Sequence, residues 1–430
     1  MLSRKEESST TRFNGQIRII MADQVVLPPR RTFHVAKAKT QTQNYNIQAK
    51  ISIRDFHLER LIGRGSFGDV CLAKMNFPST EKYCVIKIMA KQNVEGMDER
   101  VKTEKDVLEK IRHPFIVKLH CAFQNPEKLF LVMDFCSGGD LHYHLKQRLK
   151  FSEEMVKFYA AQLISALDHL HKNGVLYRDV KLENIALSRE GNLRLLDFGL
   201  AKLQMDSSLA GAQTMCGTPQ YLAPEIILEN QYGFCADWWA FAVLVFTLVS
   251  GYFPWKIRSS DHKIDDLFER ILKKPPRFPD GLSCSLEALL RAIFCRNPIK
   301  RLGVRGAQDL KNHEFFKNID WNSLEEEKEL PPIRPLFNPG KMAFNFDTHF
   351  PPVPMRIESK HYQKSVDCYS FMCPEFREGK LKSYLGAKNL DLPAQLLGCF
   401  DHVGQVFGQL SLEKLIRGNC WDNCVAADFF

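Results

Sequence analysis

Long apolar runs are scarce in this chain. The longest stretch, residues 238–249 (W-W-A-F-A-V-L-V-F-T-L-V), holds twelve residues, and about twenty are needed to cross a bilayer as a helix. No transmembrane segment is therefore expected, and the stretch reads as a helix buried on all sides of a large domain. The opening residues M-L-S-R-K-E-E are polar with no apolar core behind them, so no secretory signal is expected. Glycine (24) and proline (21) are not in excess among 430 residues, which excludes a collagen-like chain. Thirteen cysteines are too few at this length for a disulfide scaffold. Cys71, Cys84, Cys121 and Cys136 stand singly in apolar or strand-like runs, where a free thiol acts as a small hydrophobe. A reducing, cytoplasmic setting follows.

What remains is an ordinary globular composition. Hydrophobic residues make up 45% and charged residues 25%, enough to bury a large core and incompatible with wholesale disorder. The formal charge is +9, and residues 1–55 carry ten basic against four acidic residues. That segment is rich in Gln, Thr and Arg with poor periodicity, and is read as a basic, largely disordered arm. From 56 to about 145, short β-rich runs dominate (V-C-L-A-K, K-Y-C-V-I-K-I-M, L-F-L-V-M-D-F), interrupted by one helical segment around residues 98–111 with apolar Val101, Val107, Leu108 and Ile111. From Phe151 to Phe316 helices dominate, opened by Ser152 as an N-cap with Glu153 and Glu154 in the first turn. A β-rich part followed by a helical part predicts an α+β, two-lobed domain over 56–316. Residues 317–376 form a Pro-rich tail, and 377–430 an extension without a readable role. Internal repeats are absent.

Residues 63–70 read G-R-G-S-F-G-D-V. Glycines turn the backbone tightly and bring N–H donors against phosphate oxygens, where a Cβ would collide. A dinucleotide fold needs a helix directly afterwards, but V-C-L-A-K continues as strand, so a hairpin lid over nucleotide phosphates fits better. Lys87 follows in the apolar run V-I-K-I-M, where an unpaired ammonium is costly. Glu104 is its expected partner, placed by the periodicity opposite the apolar stripe of its helix. Further on, Y-R-D-V-K-L-E-N (177–184) and D-F-G (197–199) supply Asp179 as an acceptor for a hydroxyl proton, Lys181 as a cation for phosphate, and Asn184 and Asp197 as oxygen ligands for a hard cation. Mg²⁺ takes few carboxylates and draws its other ligands from phosphates.

Together these motifs resemble the signature of eukaryotic protein kinases: Gly-rich loop, strand lysine, R-D-x-K-x-x-N, D-F-G and A-P-E (223–225), in that order. T-M-C-G-T-P (214–219) and the D-W-W at 237–239 resemble the AGC group, and the chain looks most like protein kinases B and C. Asn345, Phe346 and Asp347 match the N-F-D element of the tail in that group, and residues 366–371 (V-D-C-Y-S-F) align with its hydrophobic motif, with Val366 and Tyr369 in place of the paired phenylalanines.

The resemblance implies an ATP- and Mg²⁺-dependent serine/threonine kinase, with Lys87 on the α- and β-phosphates and Glu104 fixing it. Asp197 and Asn184 would hold the metal, Asp179 and Lys181 would serve catalysis, and Thr218 below Asp179 would mark Ser/Thr specificity. Ile62, Gly63, Gly65, Ser66, Phe67, Gly68, Val70, Val85, Met133, Asp134, Cys136 and Phe346 would surround the nucleotide. Asp140 and Glu183 would select arginine upstream of the target residue, while Thr247 occupies a third, usually acidic position. Thr214 is the expected activating phosphosite, its phosphate pairing with Arg178, Lys202 and Arg100, and Ser370 a second. Partners would be basic protein substrates and an upstream kinase, with a monomeric chain and peripheral membrane contact through the basic arm. The rival reading, a pseudokinase or scaffold, calls for loss of Lys87, Asp179, Asn184 or Asp197, and none is lost. A nucleic-acid-binding arm calls for interleaved aromatics, which Phe13, Phe33 and Tyr45 are too sparse to supply. Zinc at Cys420 and Cys424 lacks further ligands apart from His402.

Overall fold

The structure, a computed structural model, describes residues 51–65, 68–76, 83–93, 96, 98–255, 264–335, 369–373 and 376, all within one unit spanning 48–410. Expectations for residues 1–50, Ser66, Phe67, Phe346 and the N-F-D element, Val366, the 377–430 extension and the Cys420/Cys424 pair lie outside the described residues.

β-branched and aromatic residues build the small lobe. Strands β1 (Phe56–Gly65), β2 (Gly68–Met75) and β3 (Tyr83–Ala90) are followed by helix α1 (Asp98–Lys110), then β4 (Leu119–Gln124) and β5 (Lys128–Asp134). All pair antiparallel in the order β1-β2-β3-β5-β4, extended at the β4 edge by a short strand from the tail described below. Period-2 alternation sorts β5 between two cores. Phe130 and Val132 join Phe56, Cys71, Cys84 and Ile86 on the outer face. Leu129, Leu131 and Met133 point to the inner face, where α1 and the helical lobe share one continuous core.

The large lobe comprises α2 (Leu141–Arg148), α3 (Glu153–Lys172), a small ribbon of β6 (Ile185–Leu187) and β7 (Leu193–Leu195), then α4 (Pro224–Ile227), α5 (Cys235–Ser250), α6 (Ile264–Lys273), α7 (Cys284–Ile293), α8 (Gln308–Lys311) and α9 (Trp321–Glu325). Ser152 caps α3 by accepting from the Met155 N–H at 3.4 Å, as its sequence position suggests. Helix α5 contains the apolar stretch and is buried from Cys235 to Val249. It stops at Gly251 (φ +81°), where a Cβ would lie 2.3 Å from the Leu149 carbonyl oxygen, so only glycine fits this left-handed cap.

The lobes meet beside His113, whose Nε2 lies 3.2 Å from Ser165 Oγ on α3. That hydroxyl donates to Glu325 of α9 at 2.5 Å. Among the described residues no helix is long and apolar enough to cross a membrane. The tail returns as β8 (Phe371–Met372), antiparallel to β4, with Ala122 opposite Phe371 and Cys121 opposite Met372. Tyr369 enters the inner core, while Cys373 and Phe376 enter the outer one. The tail thus straddles the sheet edge.

Candidate active site

The β1–β2 hairpin carries the Gly-rich loop, with Gly63 opposite Val70 and Gly65 opposite Gly68. A Cβ on Gly68 would stand 2.1 Å from the Ile88 carbonyl oxygen, so this glycine lets the hairpin lie directly on β3. Val85 of β3 sits between Leu72 and Met133 in the ladder, and it joins half-buried Ile62 and Val70 on strands β1–β3.

Two residues beyond Val85, Lys87 is buried, with its Nζ 2.6 Å from Glu104 Oε1 and 3.1 Å from Asp197 Oδ1. Strand, helix and D-F-G thus converge on one ammonium. Burial works against its charge, but the Glu104 and Asp197 carboxylates outweigh that and hold the Lys87 pKa above its ordinary value. Asp197 is shifted the other way. Burial opposes its ionisation, yet Lys87 and the Gly199 N–H, at 3.1 Å, leave its pKa below the usual carboxylate range.

The placement of Glu104 corrects the periodicity. It stands within the apolar stripe of α1, not opposite it, and is as buried as Val101 and Leu108. A buried carboxylate is tolerable there because Lys87 supplies the counter-charge.

Asp179 collects the polar groups of the loop at 177–184. Its Oδ2 accepts from Lys181 Nζ and from Asn184 Nδ2, each at 2.7 Å, and Thr218 Oγ1 lies 3.4 Å from Oδ1. Asn184 also donates to the Asp179 carbonyl at 2.9 Å, which fixes its amide with Nδ2 as the donor and Oδ1 as the acceptor. Among the described residues no group of three or more His, Cys, Asp or Glu could hold a metal unaided. Asn184 and Asp197 therefore suit an ion that takes its other ligands from phosphates and water.

The loop is held from below by the first residue of the D-W-W run. Asp237, fully buried at the start of α5, accepts from the backbone N–H groups of Tyr177 (3.0 Å) and Arg178 (2.8 Å) and contacts His171 Nε2 at 2.8 Å. These bonds stabilise Arg178 at φ +70°, a conformation that disfavours a side chain. Tyr177 packs edge-on against Phe198, with centroids 5.3 Å apart, and donates to the Leu196 carbonyl, tying the loop to D-F-G.

At the hinge, Asp134 N–H donates to the Lys118 carbonyl at 3.1 Å. Its carboxylate meets His120 Nε2 at 2.8 Å. Cys136 is buried, and burial pushes its thiol pKa up to about 12. Asp140 caps α2 by accepting from the Tyr143 N–H at 2.7 Å, and burial raises its pKa. Glu183 stays half-exposed, 3.6 Å from His142 Nδ1. Thr247 is buried and donates to the Val243 carbonyl at 2.7 Å.

Thr214 is exposed, and its carbonyl accepts from Tyr232 Oη at 2.6 Å. Tyr232 Oη also lies 3.4 Å from Arg178 NH1, whose guanidinium bonds the Leu200 carbonyl at 2.5 Å as well. Arg100 is exposed on α1. Further along, Glu225 of A-P-E takes a bidentate bond from Arg301 at 2.6 and 2.8 Å, a pairing across 76 positions with no local signal. In the tail Ser370 is exposed and Tyr369 buried, and the Phe376 ring stacks on Phe56 and His120 at 6.1 and 5.8 Å.

The sequence pattern of the protein kinase domain matches residues 56–316. This chain belongs to the protein kinase family. Ribosomal protein S6 kinase 2 alpha of Gallus gallus is 42% identical over 299 residues, covering 69% of this chain and 39% of that protein. Ribosomal protein S6 kinase alpha-1 of Homo sapiens is 42% identical over 299 residues, 69% of this chain and 40% of its own length. The alpha-6 kinase of Mus musculus is 41% identical over 297 residues, 69% and 38%. The chain thus spans about two fifths of the length of these curated relatives. The family match bears out the α+β, two-lobed kinase fold, and these relatives bear out the AGC-group serine/threonine assignment that the motifs implied.

Proposed function

We propose that this kinase transfers the γ-phosphoryl group of ATP, with Mg²⁺, to serine or threonine of protein substrates carrying upstream arginine, and that phosphorylation of Thr214 activates it. The observation that carries this reading is the meeting of Lys87, Glu104 and Asp197, 110 positions apart in the chain at its widest, beside an intact Asp179–Lys181–Asn184 cluster. Phosphoryl transfer needs little covalent chemistry from the protein, so positioning and charge neutralisation supply most of the rate.

Each residue has one task. Lys87, steadied by Glu104, binds the α- and β-phosphates under the lid of Gly63, Gly65 and Gly68. Ile62, Val70, Val85 and Met133 enclose the adenine, and the backbone of Asp134 and Cys136 bonds its edge. Asp197 and Asn184 would hold magnesium, which when bound neutralises phosphate charge. Asp179 accepts the substrate hydroxyl proton at Oδ2 or Oδ1, kept in orientation by Asn184 and Thr218, and Lys181 steadies the transferring group. Asp140 and Glu183 receive the upstream guanidinium. A phosphate on Thr214 would add about −1.5 to −2 of charge for Arg178, Lys202 and Arg100, and Ser370 is a second modification site. The reading places a monomeric chain in the cytoplasm, acting on basic protein substrates under an upstream kinase.

The test is a peptide-library phosphorylation assay of wild type, Asp197→Ala and Thr214→Ala. Wild type should label Ser/Thr peptides with upstream Arg, Thr214→Ala should label them weakly, and Asp197→Ala should be inactive. Equal labelling by Asp197→Ala and wild type refutes the assignment.

A further inference from the structure

The acidic subsite has a neighbour that its assigned role does not use. His142, in the first turn of α2, brings Nδ1 to 3.6 Å from Glu183 Oε1, with 57% and 51% of the two side chains exposed. The other carboxylate, Asp140, already accepts the Tyr143 N–H as the α2 cap. Glu183 is therefore the freer acceptor of the pair, and the imidazole stands against one of its two oxygens. We propose that His142 is a specificity-determining residue: it screens Glu183 and so limits how strongly the subsite draws an upstream arginine. This rests on the basic-substrate reading given above.

The physical argument is competition for one carboxylate. A guanidinium binds a carboxylate best through two parallel N–H···O bonds, which requires both oxygens. With Nδ1 facing Oε1, an incoming guanidinium must displace the imidazole or accept a one-sided contact. Replacing the imidazole with a fixed ammonium, as in His142→Lys, adds like-charge repulsion toward the guanidinium. Both partners are solvent-exposed, so the contact opens readily and the effect is modest. Exposed charge pairs of this kind change an equilibrium by about two- to fivefold.

The experiment uses the full chain and two peptides that differ only at the upstream position, arginine against norleucine. The ratio of their kcat/KM values is measured for wild type, His142→Asn, His142→Lys and Glu183→Gln at fixed ionic strength. His142→Asn should raise the ratio about two- to fivefold and His142→Lys should lower it, with the change falling in KM and not in kcat. Appearance of an arginine preference only in His142→Asn also supports the proposal. If Glu183→Gln lowers the ratio but both His142 variants match wild type, the screening role is overturned while the basic-substrate reading stands. If the ratio is one in every variant, the basic-substrate reading and the proposal fall together.

Discussion

Two buried ion pairs of equal length do different work in this kinase. In the cleft, Lys87 and Glu104 meet at 2.6 Å; deep in the helical lobe, Arg301 and Glu225 also meet at 2.6 Å. The Arg301 pair is saturated. Its guanidinium bonds both Glu225 oxygens and the carbonyls of Cys235 and Cys295, and lies 5.1 Å over the Trp239 ring. Every part of that network belongs to one lobe, and both charged side chains are buried from solvent. The Lys87 pair is shared with Asp197, whose carboxylate is 40% exposed, and it draws on a strand, a helix and a loop from both lobes. A closed network stabilises; an open one is available to a substrate. Buried charge alone does not distinguish them, but the partner left facing solvent does.

The comparison can be broken from either side. The largest effect is expected for Asp197→Ala, which should lower phosphoryl transfer about a thousandfold or more while leaving the thermal midpoint close to wild type, as read by peptide kinetics and calorimetry on the same preparation. Arg301→Ala should do the opposite. Leaving Glu225 buried and unpaired costs about 3–5 kcal/mol of stability, so urea unfolding should shift strongly, whereas the fraction that remains folded keeps near-normal turnover. A fall in activity without a fall in stability for Arg301→Ala contradicts the distinction.

A smaller effect concerns the tail. Phe376→Ala removes the ring that stacks on His120, whose imidazole meets hinge residue Asp134. It should raise the KM for ATP a few-fold and speed amide exchange in residues 369–373, with kcat little changed.

The smallest effect is a pH dependence at the joint between the lobes. Burial, then His169 and Lys311, push the His113 pKa down to about 3. In the unfolded chain the ring takes up a proton near pH 6.5, so its neutral, buried form stabilises fully above that pH and progressively less as pH falls toward 3. Between pH 8 and 5, the drop in melting temperature should be smaller in His113→Gln than in wild type by about 4 °C. By contrast, Asp197 is held low and Lys87 high. The contribution of Asp197 is lost only in acid below the ordinary carboxylate range, and that of Lys87 only in alkali above the ordinary lysine range. Neither Asp197 nor Lys87 should add a pH dependence near neutrality.

Residues whose chemistry is carried by short contiguous motifs are legible in the sequence. Lys87, Asp179, Lys181, Asn184 and Asp197 are of that kind, and so was the Ser152 cap. Glu104 is expected opposite the apolar stripe but lies within it, because periodicity counts apolar residues and cannot see a counter-ion on a neighbouring strand. Asp237 and Arg301 escaped for a related reason. Their partners lie 59 and 76 positions away, and neither distance leaves a pattern in the local sequence. The return of the tail was legible only as a motif resemblance. Its second anchor, Phe376, lies beyond the motif and had no signal of its own.

That returning tail also settles an exposure problem. An outermost strand offers a row of unpaired amide and carbonyl groups to any other extended chain. Here β4 would be that strand, and residues 371–372 take the position instead, with Cys373 N–H donating to the His120 carbonyl at 2.8 Å. Whatever frees the tail, whether a protease or a competing peptide, would hand β4 to the next chain it meets, so release of the tail and onset of self-association should arrive together.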